Sequence, residues 1–447
     1  MRNQGGATAV KQMHPFTAAL ATVACALALS GCADREEILS GERLDLRAPL
    51  DGTAGAAAPA NLSQPISLPA AVANADWLRR SGSVPHSALA AAPVPLWAAA
   101  IGEGSGRKQA ISAEPVVADG RIFTLDAAAT VAATATNGAA LWSRDLTPPG
   151  DSAGEASGGG LALEDGRLFV TSGFGAVTAL DAATGATLWT QGFDAPVTAA
   201  PTVSGGMVYV VGANSTAMAI NADSGKIVWQ LQGTPSASGM FGGAGPLITD
   251  RLAILPFPSG ELRGVIKATG LQVWLANIGG KRLGRAYTGN SDIVGDPVLV
   301  GGSLYVGNQS GHMAALDASN GERLWDAGEG TYGGALPVGG SLFLVSDASE
   351  LVRLDAGTGA TIWAVPLPEF TTDKLKKLKA VTPHYGPLLA GGRVLLASGD
   401  GLVRFFDPAS GSLTGTVGIG GAAASDPVVA GGVLYIVTTD GKLRAFR

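Results

Sequence analysis

Residues 179 to 189 read Ala-Leu-Asp-Ala-Ala-Thr-Gly-Ala-Thr-Leu-Trp, and variants of this stretch recur along the chain. Asp181 can accept hydrogen bonds from backbone N–H groups two or three residues later, and Gly185 can adopt the positive φ that closes a hairpin. Apolar residues alternate on both sides of the turn. The stretch therefore predicts two antiparallel strands, with Trp189 placed on the second.

The same turn is repeated with the same spacing between glycine and tryptophan. Six copies keep both residues: Gly138 and Trp142, Gly185 and Trp189, Gly225 and Trp229, Gly270 and Trp274, Gly321 and Trp325, and Gly359 and Trp363. A seventh turn, closed by Gly411, has Gly415 in place of tryptophan. Another apolar hairpin precedes each copy, as at Pro201–Gly206. Two hairpins make a four-stranded antiparallel unit.

The length and number of these units predict the fold. Tryptophans recur about every 44 residues from Trp97 to Trp363, which is the length of a propeller blade. The last unit, 426–447, has room for only three strands, and the stretch around Trp97 can supply its fourth. We therefore predict an all-β fold, an eight-bladed β-propeller of four-stranded antiparallel blades at 94–447, closed by an N-terminal strand that completes the last blade.

The repeated tryptophans are interpreted as packing residues rather than ligand-stacking residues. Adjacent blades splay apart at their outer strands, where a large flat side chain fills the gap. Gly415 lacks that side chain, so the sequence predicts that its blade is the most loosely packed.

The N-terminal residues show the pattern of a secretory signal. Basic residues precede an apolar run at Phe16–Leu29 that is too short to span a bilayer comfortably. The run ends in Leu-Ser-Gly-Cys, which resembles the lipobox of bacterial lipoproteins and implies cleavage before Cys32 and lipidation of that residue. We predict a signal peptide at 1–31, a soluble secreted protein with an incidental cysteine being the alternative.

Residues 32–93 are predicted to form a lipidated N-terminal tether that is mostly disordered. They are rich in alanine, proline, glycine and serine and show no sustained period. Two less flexible-looking islands, Ile38–Leu44 and Asp76–Leu78, interrupt the tether. The sequence leaves open whether they dock on the folded body, dock on a partner, or belong to the linker.

Composition argues against several functions. The formal net charge is -6, which disfavours nucleic acid as a partner. The only cysteines are Cys25 and Cys32, and cleavage would remove the first, so no disulfide or Cys-x-x-Cys-His haem site is expected. The histidines that would remain are widely spaced. We predict no catalytic residues, no metal site and no cofactor.

The repeat resembles a known motif. Ala179–Trp189 matches the tryptophan-docking motif of PQQ-type propeller repeats, Ala-x-Asp-x-x-Thr-Gly-x-x-x-Trp, and Ala219–Trp229 and Ala315–Trp325 match nearly as well. Such repeats occur in quinoprotein dehydrogenases and in the BamB family of outer-membrane assembly lipoproteins. The resemblance covers about 94–447 and is specific for the fold rather than the function.

The lipobox and the bare eight blades resemble the BamB family more closely. That resemblance implies a non-enzymatic scaffold, lipid-anchored on the periplasmic face of the outer membrane. It also implies binding to the POTRA domains of BamA and to other BAM components, and assistance to nascent outer-membrane β-barrel proteins. The alternatives are a PQQ-dependent periplasmic dehydrogenase, although the adjacent cysteines common there are absent, and a lipoprotein scaffold for another envelope complex.

The resemblance also implies a partner-binding site on two consecutive interblade loops. Alignment of the first family loop on Gly245 places Met240 and Phe241 in it as an apolar anchor, but the family's arginine is absent. Alignment of the second loop on Pro297 retains Asp292, while Val294 replaces the second family aspartate.

Asp292 is the best single candidate contact, and Arg282 and Arg285 are candidate charged partners in the same loop. A solvated loop with incidental charges is the alternative.

Two further features of the sequence have more than one interpretation. The basic cluster at 373–379 could meet an acidic surface or could be solvated. The carboxylates of Glu114, Asp296 and Asp426, each directly before a proline, could hold a cation or accept local N–H groups.

Overall fold

Eight four-stranded antiparallel sheets make up the fold. The computed structural model describes residues 61–79, 86–236, 242–280, 282, 292–372, 374 and 380–447. These residues form strands β1 to β32 and no helix, so none of them belongs to a helix that could cross a membrane. The predicted all-β, eight-bladed propeller is confirmed.

Seven blades are each built from four strands that are consecutive in the chain. Blade 1 contains β2 (Val116–Ala118), β3 (Arg121–Leu125), β4 (Thr130–Ala135) and β5 (Ala140–Asp145). Blade 2 contains β6 (Gly159–Glu164), β7 (Arg167–Ser172), β8 (Ala176–Asp181) and β9 (Thr187–Gly192). Blade 3 contains β10 (Thr202–Ser204), β11 (Met207–Val211), β12 (Thr216–Asn221) and β13 (Ile227–Gln232). Blade 4 contains β14 (Leu247–Ile248), β15 (Leu252–Pro256), β16 (Glu261–Ile266) and β17 (Gln272–Asn277).

The remaining blades of this kind follow the same order. Blade 5 contains β18 (Val298–Val300), β19 (Ser303–Asn308), β20 (His312–Asp317) and β21 (Arg323–Ala327). Blade 6 contains β22 (Leu336–Val338), β23 (Ser341–Val345), β24 (Glu350–Asp355) and β25 (Thr361–Pro366). Blade 7 contains β26 (His384–Ala390), β27 (Arg393–Ser398), β28 (Leu402–Phe406) and β29 (Leu413–Gly418).

Blade 8 joins the two ends of the propeller. It contains β30 (Val428–Ala430), β31 (Val433–Thr438), β32 (Lys442–Phe446) and, as its fourth strand, β1 (Pro95–Ala100). Next to this pair, Val94 and Arg447 exchange two backbone hydrogen bonds of 2.8 and 2.9 Å. The N-terminal strand therefore completes the last blade, as predicted, and closure leaves no open blade face.

The alternating strand direction gives the ring two faces. We call the side with the hairpin turns between first and second and between third and fourth strands the turn face, and the side with the interblade loops the loop face. Gly205 and Gly206, with φ of 62° and 75°, show the turn chemistry: both central positions of this two-residue hairpin need positive φ. The first strand of each blade lines the central channel and the fourth lies at the rim.

The tryptophans join successive blades. Each indole packs on the glycine of the next blade's turn, where a Cβ at Gly185, for example, would lie 2.6 Å from Trp142. Each Nε1 also donates to a carbonyl of that turn, at 2.9 to 3.2 Å. The pairs are Trp97 to Thr136, Trp142 to Ala182, Trp189 to Ala222, Trp229 to Lys267, Trp274 to Ala318, Trp325 to Ala356 and Trp363 to Ala409.

Gly415 stands where this contact has no partner. Blade 7 faces blade 8, whose third and fourth strands come from opposite ends of the chain, so no turn glycine is available there. A Cβ at Gly415 would meet nothing within 4 Å. The blade's interior is still packed, since Leu395 and Phe405 are 0% and 1% exposed. The loose packing predicted for this blade is thus limited to its outer position.

Part of the predicted tether lies on the propeller. Residues 61–79 and 86–93, called the strap below, cross the turn face. Trp77 is 4% exposed and exchanges two backbone hydrogen bonds with Val117 of blade 1. The Asp76–Leu78 island therefore docks on the folded body, because its tryptophan and its backbone groups both find partners on an inner strand. The other island, Cys32 and the 1–31 segment lie outside the described residues.

Candidate functional site

The two loops that the sequence selected lie next to each other on the loop face. Loop 3/4 (233–246) connects blades 3 and 4, and loop 4/5 (278–297) connects blades 4 and 5. Of the predicted site residues, Arg282 and Asp292 are described, whereas Met240, Phe241 and Arg285 lie outside the described residues.

Arg282 fixes the start of loop 4/5 to two blades. Its backbone N–H donates to the carbonyl of Ser310 in blade 5 at 2.6 Å. Its guanidinium donates from Nη2 and Nε to the two carboxylate oxygens of Asp347 in blade 6, at 2.9 and 3.2 Å. Nη2 also lies 3.2 Å from Glu329 Oε2. Such two-pronged pairing sets both the position and the orientation of an arginine.

The electrostatics of this cluster follow from its partial burial. The Asp347 side chain is fully buried, whereas the Arg282 side chain keeps 30% of its exposure. The hydrogen bonds to Asp347 raise the pKa of Arg282, so the guanidinium stays positively charged. Burial raises the pKa of Glu329, although Arg282 acts in the opposite direction. The arginine is committed to contacts within the chain, so its main effect is to position the loop.

Asp292 is buried near the C-terminal end of the same loop. It is 3% exposed, and its carbonyl accepts a hydrogen bond from the Gln309 N–H at 3.3 Å. The next residue, Ile293, is also 3% exposed and packs with the apolar residues of blades 4 and 5. In the described structure the Asp292 carboxylate is therefore not a surface group. These buried residues anchor loop 4/5 to the propeller and do not present it to solvent.

The bases of the two loops meet. A cavity of about 30 Å³ is lined by Gly243 and Ala244 from loop 3/4 and by Asp292 and Val294 from loop 4/5. Such a space holds about one water molecule. The Gly245 N–H also donates to Asp296 Oδ1 at 2.7 Å. The structure therefore brings together the bases of the two loops that the sequence predicted to act together.

The acidic residues before the prolines also link blades. Asp296 accepts the N–H of Gly245 from the preceding blade, and Asp426 accepts that of Gly386 in the same way, again at 2.7 Å. Glu114, at the equivalent position, is 6% exposed. Across the described ranges no three histidine, cysteine, aspartate or glutamate side chains are grouped as metal ligands. Of the two sequence interpretations, acceptance of local N–H groups is the one these two aspartates display.

The basic cluster at 373–379 falls mostly outside the described residues. Only Lys374 is described, and its backbone N–H lies 3.3 Å from Thr372 Oγ1.

Sequence comparison matches this chain to one family. A family model described as "Outer membrane protein assembly factor BamB" matches residues 127–365 and 370–447, more than half of the chain. The protein of that name from Moranella endobia (strain PCIT) is 24% identical over 247 residues, covering 54% of this chain and 63% of its own length. The Burkholderia pseudomallei (strain K96243) protein is 27% identical over 359 residues, covering 79% and 87%. The first alignment thus spans less than two thirds of the relative.

Comparison with solved structures shows the fold. The crystal structure of BamB from Moraxella catarrhalis superposes with a TM-score of 0.66 at 19% identity, over 80% of this chain and 100% of that one. Quinohemoprotein alcohol dehydrogenase from Comamonas testosteroni superposes with a TM-score of 0.62 at 16% identity, over 84% and 81%. At such identities the likeness extends to the architecture alone.

Proposed function

The chain belongs to the family of outer membrane protein assembly factor BamB, and on that premise we propose that it is a non-enzymatic scaffold of the outer-membrane β-barrel assembly machinery. Its partners would be the POTRA domains of a BamA-like protein, other BAM components and nascent outer-membrane proteins. A lipid on Cys32 would hold it at the periplasmic face of the outer membrane.

One observation supports the loop face as the binding surface. The two loops selected by resemblance converge at their bases, and Arg282 and Asp292 each fix one end of loop 4/5 to the ring. A loop held in place before binding loses less conformational freedom on association. We therefore assign Arg282 and Asp292 to positioning, and Met240, Phe241 and Arg285 to direct contact with the partner.

Affinity capture tests the proposed partnership. The full lipidated chain, tagged and purified from detergent-solubilised envelopes, should bring down a BamA-like protein. Arg282→Ala should reduce the recovered amount about tenfold, as expected when about 1.4 kcal/mol of binding is lost. Arg167→Ala is the matched control, because this arginine pairs with Asp223 at a hairpin turn of the opposite face. If the parent chain and both variants recover the BamA-like protein equally, Arg282 does not belong to the site. If none of the three chains recovers a BamA-like protein, the proposed function is contradicted.

A quinoprotein dehydrogenase is the alternative, since such an enzyme shares the architecture. The adjacent cysteines common in that class are absent, since the chain's cysteines are Cys25 and Cys32. The alternative is tested by adding PQQ and calcium to the purified chain. Reduction of an artificial dye with alcohols or sugars would support the enzyme and contradict the scaffold.

A further inference from the structure

Each inner strand has one edge that faces the central channel. In the first hairpin of a blade, the last residue of the first strand and the first residue of the second strand form a hydrogen-bonded pair. Because such pairs alternate along an antiparallel ladder, the preceding residue of the first strand directs its N–H and C=O away from the second strand and toward the channel. The residues at this channel-edge position in blades 1 to 8 are Val117, Leu163, Val203, Ile248, Leu299, Pro337, Leu389 and Val429.

The strap occupies this position in four neighbouring blades, 7, 8, 1 and 2. Val117 exchanges hydrogen bonds of 2.7 and 2.8 Å with Trp77. The Leu163 N–H donates to the Leu78 carbonyl at 2.9 Å, and the Leu389 carbonyl accepts from Ser87 at 3.0 Å. The Val429 carbonyl accepts from Asn74 Nδ2 at 2.7 Å. The channel edge therefore already binds extended polypeptide in this chain.

The same position is open to a cavity in blades 4 and 5. A cavity of about 960 Å³ is lined by Ile248 and Leu299 and by the strap residues Leu68, Trp77 and Arg79. Its volume is at the upper end of the range for ligand sites. Among the described residues, none hydrogen-bonds the channel-side backbone groups of Ile248 or Leu299.

We propose that this cavity, called the strand-edge cavity, binds a second extended polypeptide, which adds to Ile248 and Leu299 as the strap adds to Val117 and Leu389. Addition to a strand edge uses main-chain hydrogen bonds for affinity and therefore tolerates many sequences. Pro246, Asp296 and Pro297, at the bases of loops 3/4 and 4/5, are part of its lining. Binding of an extended polypeptide in this cavity goes beyond the scaffold function proposed above.

The lining defines the side chains that the bound segment carries. The walls are largely apolar, with Leu247, Val298 and Leu336 among them. The charged lining residues are the carboxylates of Glu114, Asp296 and Asp426 and the guanidinium of Arg79. Because this balance is acidic, the bound segment alternates apolar residues with lysine or arginine.

A labelled peptide of seven alternating valines and lysines tests the proposal on the full chain by fluorescence anisotropy. Leu299→Pro removes the N–H that the peptide needs without removing a ladder hydrogen bond, and Pro337 shows that the fold accepts proline at this position in blade 6. The variant should weaken binding about tenfold, as for one lost hydrogen bond. Val203→Pro, at the equivalent position outside the cavity lining, should bind the peptide as the parent chain does.

A second pair of measurements does not depend on the proline variant. The same peptide with alternate backbone nitrogens methylated should not bind, because it cannot add to a strand edge. Asp296→Asn keeps the oxygen that accepts the Gly245 N–H but removes the charge. It should therefore weaken binding of the valine-lysine peptide severalfold and leave binding of a valine-glutamine peptide unchanged. Binding of the methylated peptide, or unchanged binding by both Leu299→Pro and Asp296→Asn, would overturn the proposal.

Discussion

Trp363 of blade 6 and Gly411 of blade 7 are in contact across the boundary between their blades. A Cβ at Gly411 would lie 2.9 Å from the indole, and Nε1 of Trp363 donates a 3.2 Å hydrogen bond to the Ala409 carbonyl in the same turn. One residue thus forms the turn in its own blade and receives the tryptophan of the blade before it. This double use explains why glycine and tryptophan recur together.

Gly411→Ala should destabilise the protein more than the same change at a turn glycine without a tryptophan. Both Gly411 and Gly206 have positive φ, 72° and 75°, but only at Gly411 would a Cβ meet neighbours, Val365 Cγ2 at 2.8 Å and the Trp363 indole at 2.9 Å. Gly206→Ala should cost about 1–2 kcal/mol of unfolding free energy from backbone strain, and Gly411→Ala about 1–3 kcal/mol more from overpacking. Urea unfolding measures both, and equal losses would mean that the contacts of Gly411 with Trp363 and Val365 add nothing.

Removing the Trp363 side chain should lower the stability of the protein, whereas adding a tryptophan at Gly415 should not raise it. Trp363 is fully buried, so Trp363→Ala should lower the unfolding free energy by about 3–5 kcal/mol. Gly415→Trp meets open space and no turn glycine, so it should change stability by no more than about 0.5 kcal/mol. Clear stabilisation by Gly415→Trp in the same unfolding assay would show that blade 8 offers a docking site after all.

Arg282 and Asp347 should be coupled. Arg282→Ala leaves the buried Asp347 carboxylate without its bidentate partner, which should cost about 1–3 kcal/mol. After Asp347→Asn the same arginine substitution should cost less, and the difference in a double-mutant cycle measures the pair. Arg323→Ala, in a more exposed pair with Asp326, should cost no more than about 1 kcal/mol. Additive effects of the Arg282 and Asp347 changes would show that the ion pair does not hold the loop.

His384 should make stability depend on pH. Burial lowers the pKa of this histidine below its ordinary value of 6.5, while the Pro368 carbonyl opposes the shift. Because the folded state favours the neutral ring, the histidine's contribution is fully present above pH 6.5 and is lost as the pH falls below it. The stability advantage of the parent chain over His384→Gln should therefore shrink between pH 7 and pH 5. An advantage that grows over this range would reverse the sign of the shift.

The sequence predicted the ring because the ring is built from local signals. Turn residues such as Asp181 and Gly185 are visible in seven copies, six of which carry a tryptophan at fixed spacing, and the unit at 426–447 adds the eighth blade. The closing strand could also be inferred, since Trp97 stood alone near the N-terminus and blade 8 lacked a strand.

The site was predicted less completely because its contacts join residues far apart in the chain. Arg282 and Asp347 are 65 residues apart, and an aspartate in a tight turn carries no sign of the arginine it will pair with. Asp292 was expected to be a surface contact, but its burial depends on how blades 4 and 5 pack. The strap was predicted only in part: docking of the Asp76–Leu78 island was left open, because backbone pairing such as that of Trp77 with Val117 leaves little trace in residue type.

Site-specific photocrosslinking in living cells tests the scaffold assignment most directly. A photoreactive residue is placed at Met240 or Arg285 on the proposed binding loops, or at Asp223, whose side chain is 78% exposed at a hairpin turn of the opposite face. Crosslinks to a BamA-like protein are expected from the first two positions and none from the third. Crosslinks to that protein from Asp223 alone, or from no position, would contradict the scaffold assignment.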